Sequence, residues 1–168
     1  MMIVANQRSV SVGLGELTVT KDASVILTCN GLGSCIAMCV YDPSLKLGGM
    51  AHMLLPTCRS KNDTMSAPSK YIDTGAPLLI SRMLKQGSVK QNLVIKIAGG
   101  ANMLSIPGDY SHLDIGKKNI EEIKATLIRE NLAICGSDVG GGFGRTVQFY
   151  VENGRITVRT VSGRFIEL

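Results

Sequence analysis

The chain is built from short apolar and β-branched runs broken by turn signals, with a helical period in only two stretches. Val10 to Val12 and Leu17 to Val19 predict strands on either side of Gly13-Leu14-Gly15, and Val25-Ile26-Leu27-Thr28 predicts a third that leads into a glycine turn. Ile36 to Tyr41 predicts a strand ended by Asp42-Pro43-Ser44, and Gly49 to Leu55 predicts its partner, stopped by Pro56. The polar segment Cys58 to Ser69 reads as a surface loop. From about Tyr71 to Lys85, Leu78, Leu79, Met83 and Leu84 recur at helical spacing. Asp73 or Thr74 offers a cap there, Pro77 falls in the first turn, and Gly87 stops the helix.

Leu93 to Ile97 predicts a strand running into Gly99-Gly100-Ala101-Asn102-Met103. A second helix, about Lys117 to Glu130, sets Ile120, Ile123, Leu127 and Ile128 on one face and Lys and Glu on the other. Leu132 to Cys135, Thr146 to Val151 and Arg155 to Val161 predict the remaining strands, with Asn153-Gly154 as a type I′ hairpin signal between the last two. Many strands and two amphipathic helices define a sheet-rich α/β fold with the helices covering one face of the sheet. At 168 residues the expectation is a single domain over 1–168 with a real core.

Composition narrows the function classes. Hydrophobic residues make up 45% and charged residues 18%, which argues against disorder. The formal charge of +5 makes the surface mildly basic, but the longest basic cluster is the pair Lys117-Lys118 and few aromatics are present to stack on bases. Nucleic acid is therefore not the expected partner, and an acidic protein suits the charge at least as well. Five cysteines, with no CxxC pair, point to reduced thiols rather than a secreted disulfide framework. The segment Met1 to Arg8 lacks a signal-peptide pattern, and no apolar run approaches the ~20 residues that span a bilayer. A cytoplasmic protein without membrane insertion is the expectation.

The candidate chemistry lies in Asn30-Gly31-Leu32-Gly33-Ser34-Cys35 and in His52, one of two histidines. A thiol attacks a carbonyl as thiolate, and a neighbouring imidazole is the usual means of generating one near neutral pH. Such a Cys35 should alkylate with iodoacetamide well below about pH 8. Cys35 and His52 are symmetric about the point between Pro43 and Ser44. A tight hairpin centred there places their Cβ atoms ~4.5–5.5 Å apart, and a shift of two residues leaves a diagonal pair at roughly 7–8 Å. A slip of one residue puts them on opposite faces. Gly31 and Gly33 allow close approach of a substrate, and backbone amides around Ser34 and Cys35 are candidate oxyanion donors, a contribution of ~3–4 kcal/mol in measured cases. The same spacing also fits a buried cysteine beside a turn and a half-buried histidine in a strand.

Lesser candidates have plainer readings. His112 reads as a loop or pre-helix residue, and Cys39 and Cys135 as core residues. A zinc set of Cys29, Cys35, Cys39 and His52 lacks a close ligand pair. Gly140-Gly141-Gly142-Phe143-Gly144 lacks the Gly-Lys-Ser/Thr ending of a phosphate loop and reads instead as a turn lining the site. The thiol–imidazole pair needs neither metal nor organic cofactor.

Five stretches, "GLGSCIAMCVYDP", "GGMAHMLLP", "GGANM", "IGKKNIEEIKATL" and "DVGGGFGR", occur in order between Val25 and Thr160. Together they resemble the bacterial chemotaxis deamidase family CheD. The resemblance implies a layered α/β/β fold similar to that of the cytotoxic necrotizing factor toxins, with a Cys-His-Thr site. It implies conversion of particular glutamines of methyl-accepting chemoreceptor cytoplasmic domains to glutamates, accompanied in some members by methyl-ester hydrolysis. It also implies the CheC phosphatase as a partner in many bacteria. Cys35 falls on the family's nucleophile and His52 on its histidine.

The third member departs from the family pattern, which reads Thr, one residue, then GLGSC. Here Thr28 is followed by Cys29-Asn30 before GLGSC, so Cys29 occupies the matching offset. One extra residue along a strand reverses the facing side. Either a bulge absorbs the insertion and Thr28 reaches the site, or Cys29 replaces it, or activity is impaired; Thr28 with a bulge is the expectation carried forward.

Overall fold

Alternation along the strands decides the layering. The structure is a computed structural model and describes residues 6–104 and 111–168. The strands are β1 (Arg8–Ser11), β2 (Leu17–Thr20), β3 (Val25–Leu32), β4 (Ile36–Asp42), β5 (Leu47–Met53), β6 (Val94–Gly99), β7 (Ile134–Val139), β8 (Arg145–Tyr150), β9 (Arg155–Thr160) and β10 (Phe165–Glu167). One sheet runs β1-β3-β8-β9-β10 and the other β2-β5-β4-β6-β7. Ala37, Cys39 and Tyr41 of β4 join Leu27, Val147 and Phe149 of the first sheet in one apolar layer. Their alternates Ile36, Met38 and Val40 face the other way, against the helices. β4 is thus buried on both faces, which is why it reads as a continuous apolar run.

The helices α1 (Lys61–Ser66), α2 (Ile72–Lys85) and α3 (Ile115–Arg129) follow in chain order. Leu79, Ile80 and Met83 of α2 and Ile123 and Leu127 of α3 pack on the outer face of the second sheet. Each such side chain, fully buried, contributes about 1.5–3 kcal/mol. The sheet-on-sheet-on-helix layering is the sheet-rich α/β/β sandwich expected, with the two main helices on one face.

Several local expectations change. Helix α2 begins at Ile72, so Pro77 lies inside it rather than in its first turn. Asp73 does not cap the helix; its carboxylate accepts from the Cys58 amide at 3.0 and 3.1 Å. Gly87 does stop it, at φ 103°. The buried stripe of α3 is Gly116, Asn119, Ile123, Thr126 and Leu127, which leaves Ile128 73% exposed. The polar loop contains α1, capped by the Ser60 side chain on the Asp63 amide.

Strand β7 extends to Val139, parallel to β6, and β10 adds an edge strand beyond the last expected one. The β8–β9 hairpin closes at Tyr150 and Arg155, and of its loop residues only Gly154 has positive φ. A type I′ turn needs two such residues, so this connection is of another kind.

Candidate active site

Strands β4 and β5 pair with Ile36 opposite Met53 and Ala37 opposite His52. Cys35, immediately before β4, shares the inter-sheet face with Ala37. Cys35 and His52 are therefore diagonal neighbours on one face, two residues from the symmetric register. Main chains at such positions lie roughly 7–8 Å apart, within side-chain reach. Both residues are buried, at 8% and 4% exposure.

The imidazole is oriented by main chain. His52 Nδ1 lies 3.1 Å from the Val12 carbonyl oxygen. A carbonyl only accepts, so the neutral ring carries its hydrogen on Nδ1 and presents Nε2 as a base. Nε2 is buried and has no partner among the described residues. Burial lowers the His52 pKa, against the opposing pull of the Val12 bond and the Glu16 carboxylate. Burial pushes the Cys35 thiol up, opposed by its own backbone amide. The resting pair is consequently a thiol beside a neutral imidazole, contrary to the low thiol pKa expected from the spacing.

Three consecutive carbonyls of the glycine turn each accept a hydrogen bond. Gly33 O accepts from Ala101 N at 2.9 Å and Cys35 O from Gly100 N at 2.8 Å. Ser34 O accepts from Asn119 Nδ2 at 2.8 Å. The approach is close enough that a Cβ on Gly99 would collide with the Cys35 carbonyl, and Gly99 sits at φ 114°. With the carbonyls occupied, the Ser34 and Cys35 amides are the candidate oxyanion donors, the Cys35 amide lying against its own sulfur.

Thr28 is not brought to the pair. β3 does carry a bulge, but it lies between Cys29 and Leu32, downstream of both candidates. Alternation therefore runs unbroken through Leu27, Thr28 and Cys29. Leu27 and Cys29 face the inter-sheet layer. Thr28 points to the opposite face, with Oγ1 3.0 Å from Ser9 Oγ. Cys29 Sγ donates to the same Val12 carbonyl that holds His52, at 3.6 Å, and lies 3.4 Å from Met50 Sδ. Burial, with Cys35 adding to it, pushes the Cys29 pKa up to about 12, so it stays a thiol.

Two parts of the site escaped the sequence reading. Asn119 had a visible signal, a lone amide four residues before Ile123 on the buried stripe of a helix. The Val12 carbonyl had none, because main-chain acceptors do not depend on residue type. The glycine-rich turn 140–144 is braced against the 99–102 turn, with Gly140 N on Gly99 O at 2.9 Å and Asn102 N on Gly141 O at 2.8 Å. Arg145 holds it from beneath through Gly140 O at 2.8 Å while pairing with Asp138 at 2.8 Å.

A cavity of about 110 Å³ opens beside the nucleophile turn, lined by Ser34, Ala101, Asn102, Met103, Leu113 and Gly116 among others. His112 is exposed in a short turn of 3-10 helix, while its neighbours Asp109 and Tyr110 lie outside the described residues. Cys39 is buried as expected, but Cys135, on the edge strand β7, is exposed. Among the described residues no three of His, Cys, Asp and Glu converge as metal ligands.

The chemistry open to these groups is that of a thiol–imidazole acyl-transfer site, with a cysteine nucleophile, a histidine base and backbone amides for the oxyanion. A profile for the family described as "CheD chemotactic sensory transduction" matches residues 54–160. Proteins named "Probable chemoreceptor glutamine deamidase CheD" align over nearly the whole chain. That of Desulfitobacterium hafniense is 45% identical over 153 residues, 91% of this chain and 94% of its own. That of Symbiobacterium thermophilum is 39% identical over 158 residues, 94% and 96% of the two chains. That of Clostridium botulinum is 41% identical over 160 residues, 95% and 97%. The chain belongs to the CheD family. No helix among the described residues is long and apolar enough to cross a membrane.

Proposed function

We infer that this chain is a chemoreceptor glutamine deamidase in which Cys35 is the nucleophile and His52 the general base. The observation that carries the reading is the diagonal placement of Cys35 and His52 on one buried face, in a chain 45% identical to a protein named for that activity. His52 Nε2 takes the Cys35 proton as the sulfur attacks the side-chain carbonyl carbon of glutamine. The Ser34 and Cys35 amides bind the tetrahedral oxyanion. His52 then gives its proton to the departing ammonia. Water, deprotonated by His52, cleaves the thioester to release glutamate and restore the thiol. A receptor methyl ester follows the same route with methanol leaving.

Cys29 takes the third position, sharing the Val12 carbonyl with the base. The pair is held neutral at rest, so the thiolate forms only as bound substrate displaces water and receives the negative charge. The basic surface suits an acidic receptor segment, and on this reading the protein acts in the cytoplasm with CheC as a second partner.

The raised Cys35 pKa and the cysteine at position 29 favour one alternative, an adaptor of low activity that docks CheC. The test is ammonia release from a purified receptor cytoplasmic fragment. The deamidase reading expects release by the natural protein and none from a folded Cys35→Ala variant. Full activity in that variant sinks the mechanism, and silence of the natural protein, with CheC still bound, selects the adaptor.

A further inference from the structure

Asn119 is fully buried on α3, and both hydrogens of its side-chain amide are used. Nδ2 donates to Ser34 O at 2.8 Å and to Leu54 O at 3.0 Å. Only an NH₂ group satisfies two carbonyls at once, so the network fixes which way the amide points. The opposite end, Oδ1, is buried with no partner among the described residues. An orphaned buried acceptor costs about 1–3 kcal/mol, so the amide is a poor choice for packing alone. Gly116, one turn earlier, lets α3 approach, since a Cβ there would collide with the Gly100 and Ala101 carbonyls.

The carbonyl that Asn119 holds belongs to the peptide unit joining Ser34 to Cys35. That unit is planar and trans, so fixing its C=O fixes its N–H in the opposite direction. A donor on the C=O also polarises the unit and strengthens its N–H as a donor. The second bond ties the same amide to Leu54, two residues beyond His52. One side chain thereby sets the direction of the Cys35 amide and its distance from the strand that carries the base.

We propose that Asn119 is a positioning residue that aims the Cys35 N–H at the oxyanion. The natural substrate in its test rests on the deamidase reading; the assignment itself does not.

Two reactions of Cys35 isolate this role. p-Nitrophenyl acetate transfers its acetyl group to Sγ through a tetrahedral oxyanion, releasing p-nitrophenol. Iodoacetamide alkylates Sγ at a saturated carbon, releasing iodide with no oxyanion. Asn119→Asp keeps the shape and loses the donors; Asn119→Ser, small enough to admit a water, is measured beside it. Acylation of Cys35, and kcat on a receptor fragment, should fall roughly 10–100-fold, less than the ~10²–10³ for deleting an oxyanion donor outright. Alkylation, which forms no oxyanion, should fall several-fold less than acylation, and KM should stay within about twofold.

Acylation that keeps its rate, or acylation and alkylation that fall together, overturns the proposal. If the natural protein acylates yet frees no ammonia from the receptor fragment, the deamidase reading fails, and the acylation-to-alkylation ratio still decides the role of Asn119.

Discussion

His52 and Val12 stand forty residues apart in the chain, and a 3.1 Å contact from the imidazole Nδ1 to the Val12 carbonyl oxygen joins them. The bond fixes a tautomer that leaves Nε2 buried and without a hydrogen-bond partner among the described residues. His52→Gln keeps a donor for Val12 and removes the base. Ammonia release should drop by ~10²–10⁴, the usual worth of a general base, with the melting temperature little changed. A variant within threefold of the natural protein removes His52 from the mechanism.

The two pKa directions set a pH signature. Burial raises the Cys35 thiol, so its alkylation by iodoacetamide should be slow near pH 7 and climb through a midpoint above the ordinary thiol value of about 8.5. Exposed Cys135 should label ahead of it, as peptide mass mapping would read. Burial lowers His52, so the base stays neutral, and turnover should persist, below the ordinary imidazole midpoint of about 6.5. Cys35 labelling first at pH 6 would contradict both assignments.

Positions 28 and 29 make opposite predictions. Thr28→Val removes the bond to Ser9 and should cost about 0.5–1.5 kcal/mol of stability while leaving the rate alone. Cys29→Val removes a donor from the Val12 carbonyl and should slow turnover by about fivefold, the worth of one ordinary hydrogen bond. Cys29→Thr supplies a stronger donor and should match or exceed the natural rate. Steady-state kinetics on the three variants decides the matter: a rate loss confined to Thr28→Val returns Thr28 to the site.

The Arg145–Asp138 pair is almost completely buried, with side-chain exposures of 1% and 10%. Burial alone would raise the Asp138 carboxyl, but the bonds from Arg145 and Arg164 hold it below the usual range. Arg145→Met leaves that carboxylate only its half-exposed partner Arg164 and should cost about 3 kcal/mol in urea unfolding at neutral pH. Arg164, half exposed, should cost under about 1 kcal/mol when replaced. Equal losses at the two positions would show that burial does not set the difference.

The layers were legible because the chain writes them in two periods. The unbroken apolar run of β4 declares a strand covered on both faces, and the repeat Leu79, Met83 declares a helix above it. The Cys35–His52 spacing allowed three registers, and only the pairing of Ala37 with His52 chose among them. Thr28 was misplaced for a physical reason: nothing in the run from Thr28 to Leu32 marks whether a bulge falls before or after Cys29. The extent of α2 was legible to within one residue, but its cap was misread because Pro77, commoner at helix starts, is here tolerated inside the helix. Asn119 was readable as an anomaly, a polar residue on an apolar stripe, but its purpose required knowing which carbonyls it meets.

Val12 lies just past β1, a four-residue strand on the edge of its sheet, and its amide is bonded to Thr28 O at 2.8 Å. The acceptor that keeps the imidazole in its working orientation is therefore carried at the end of a short edge strand. No side-chain replacement can delete a peptide oxygen, yet fraying of this one ribbon lets it swing away. The site is thus insured against change in its residues and exposed to loss of tension at its border.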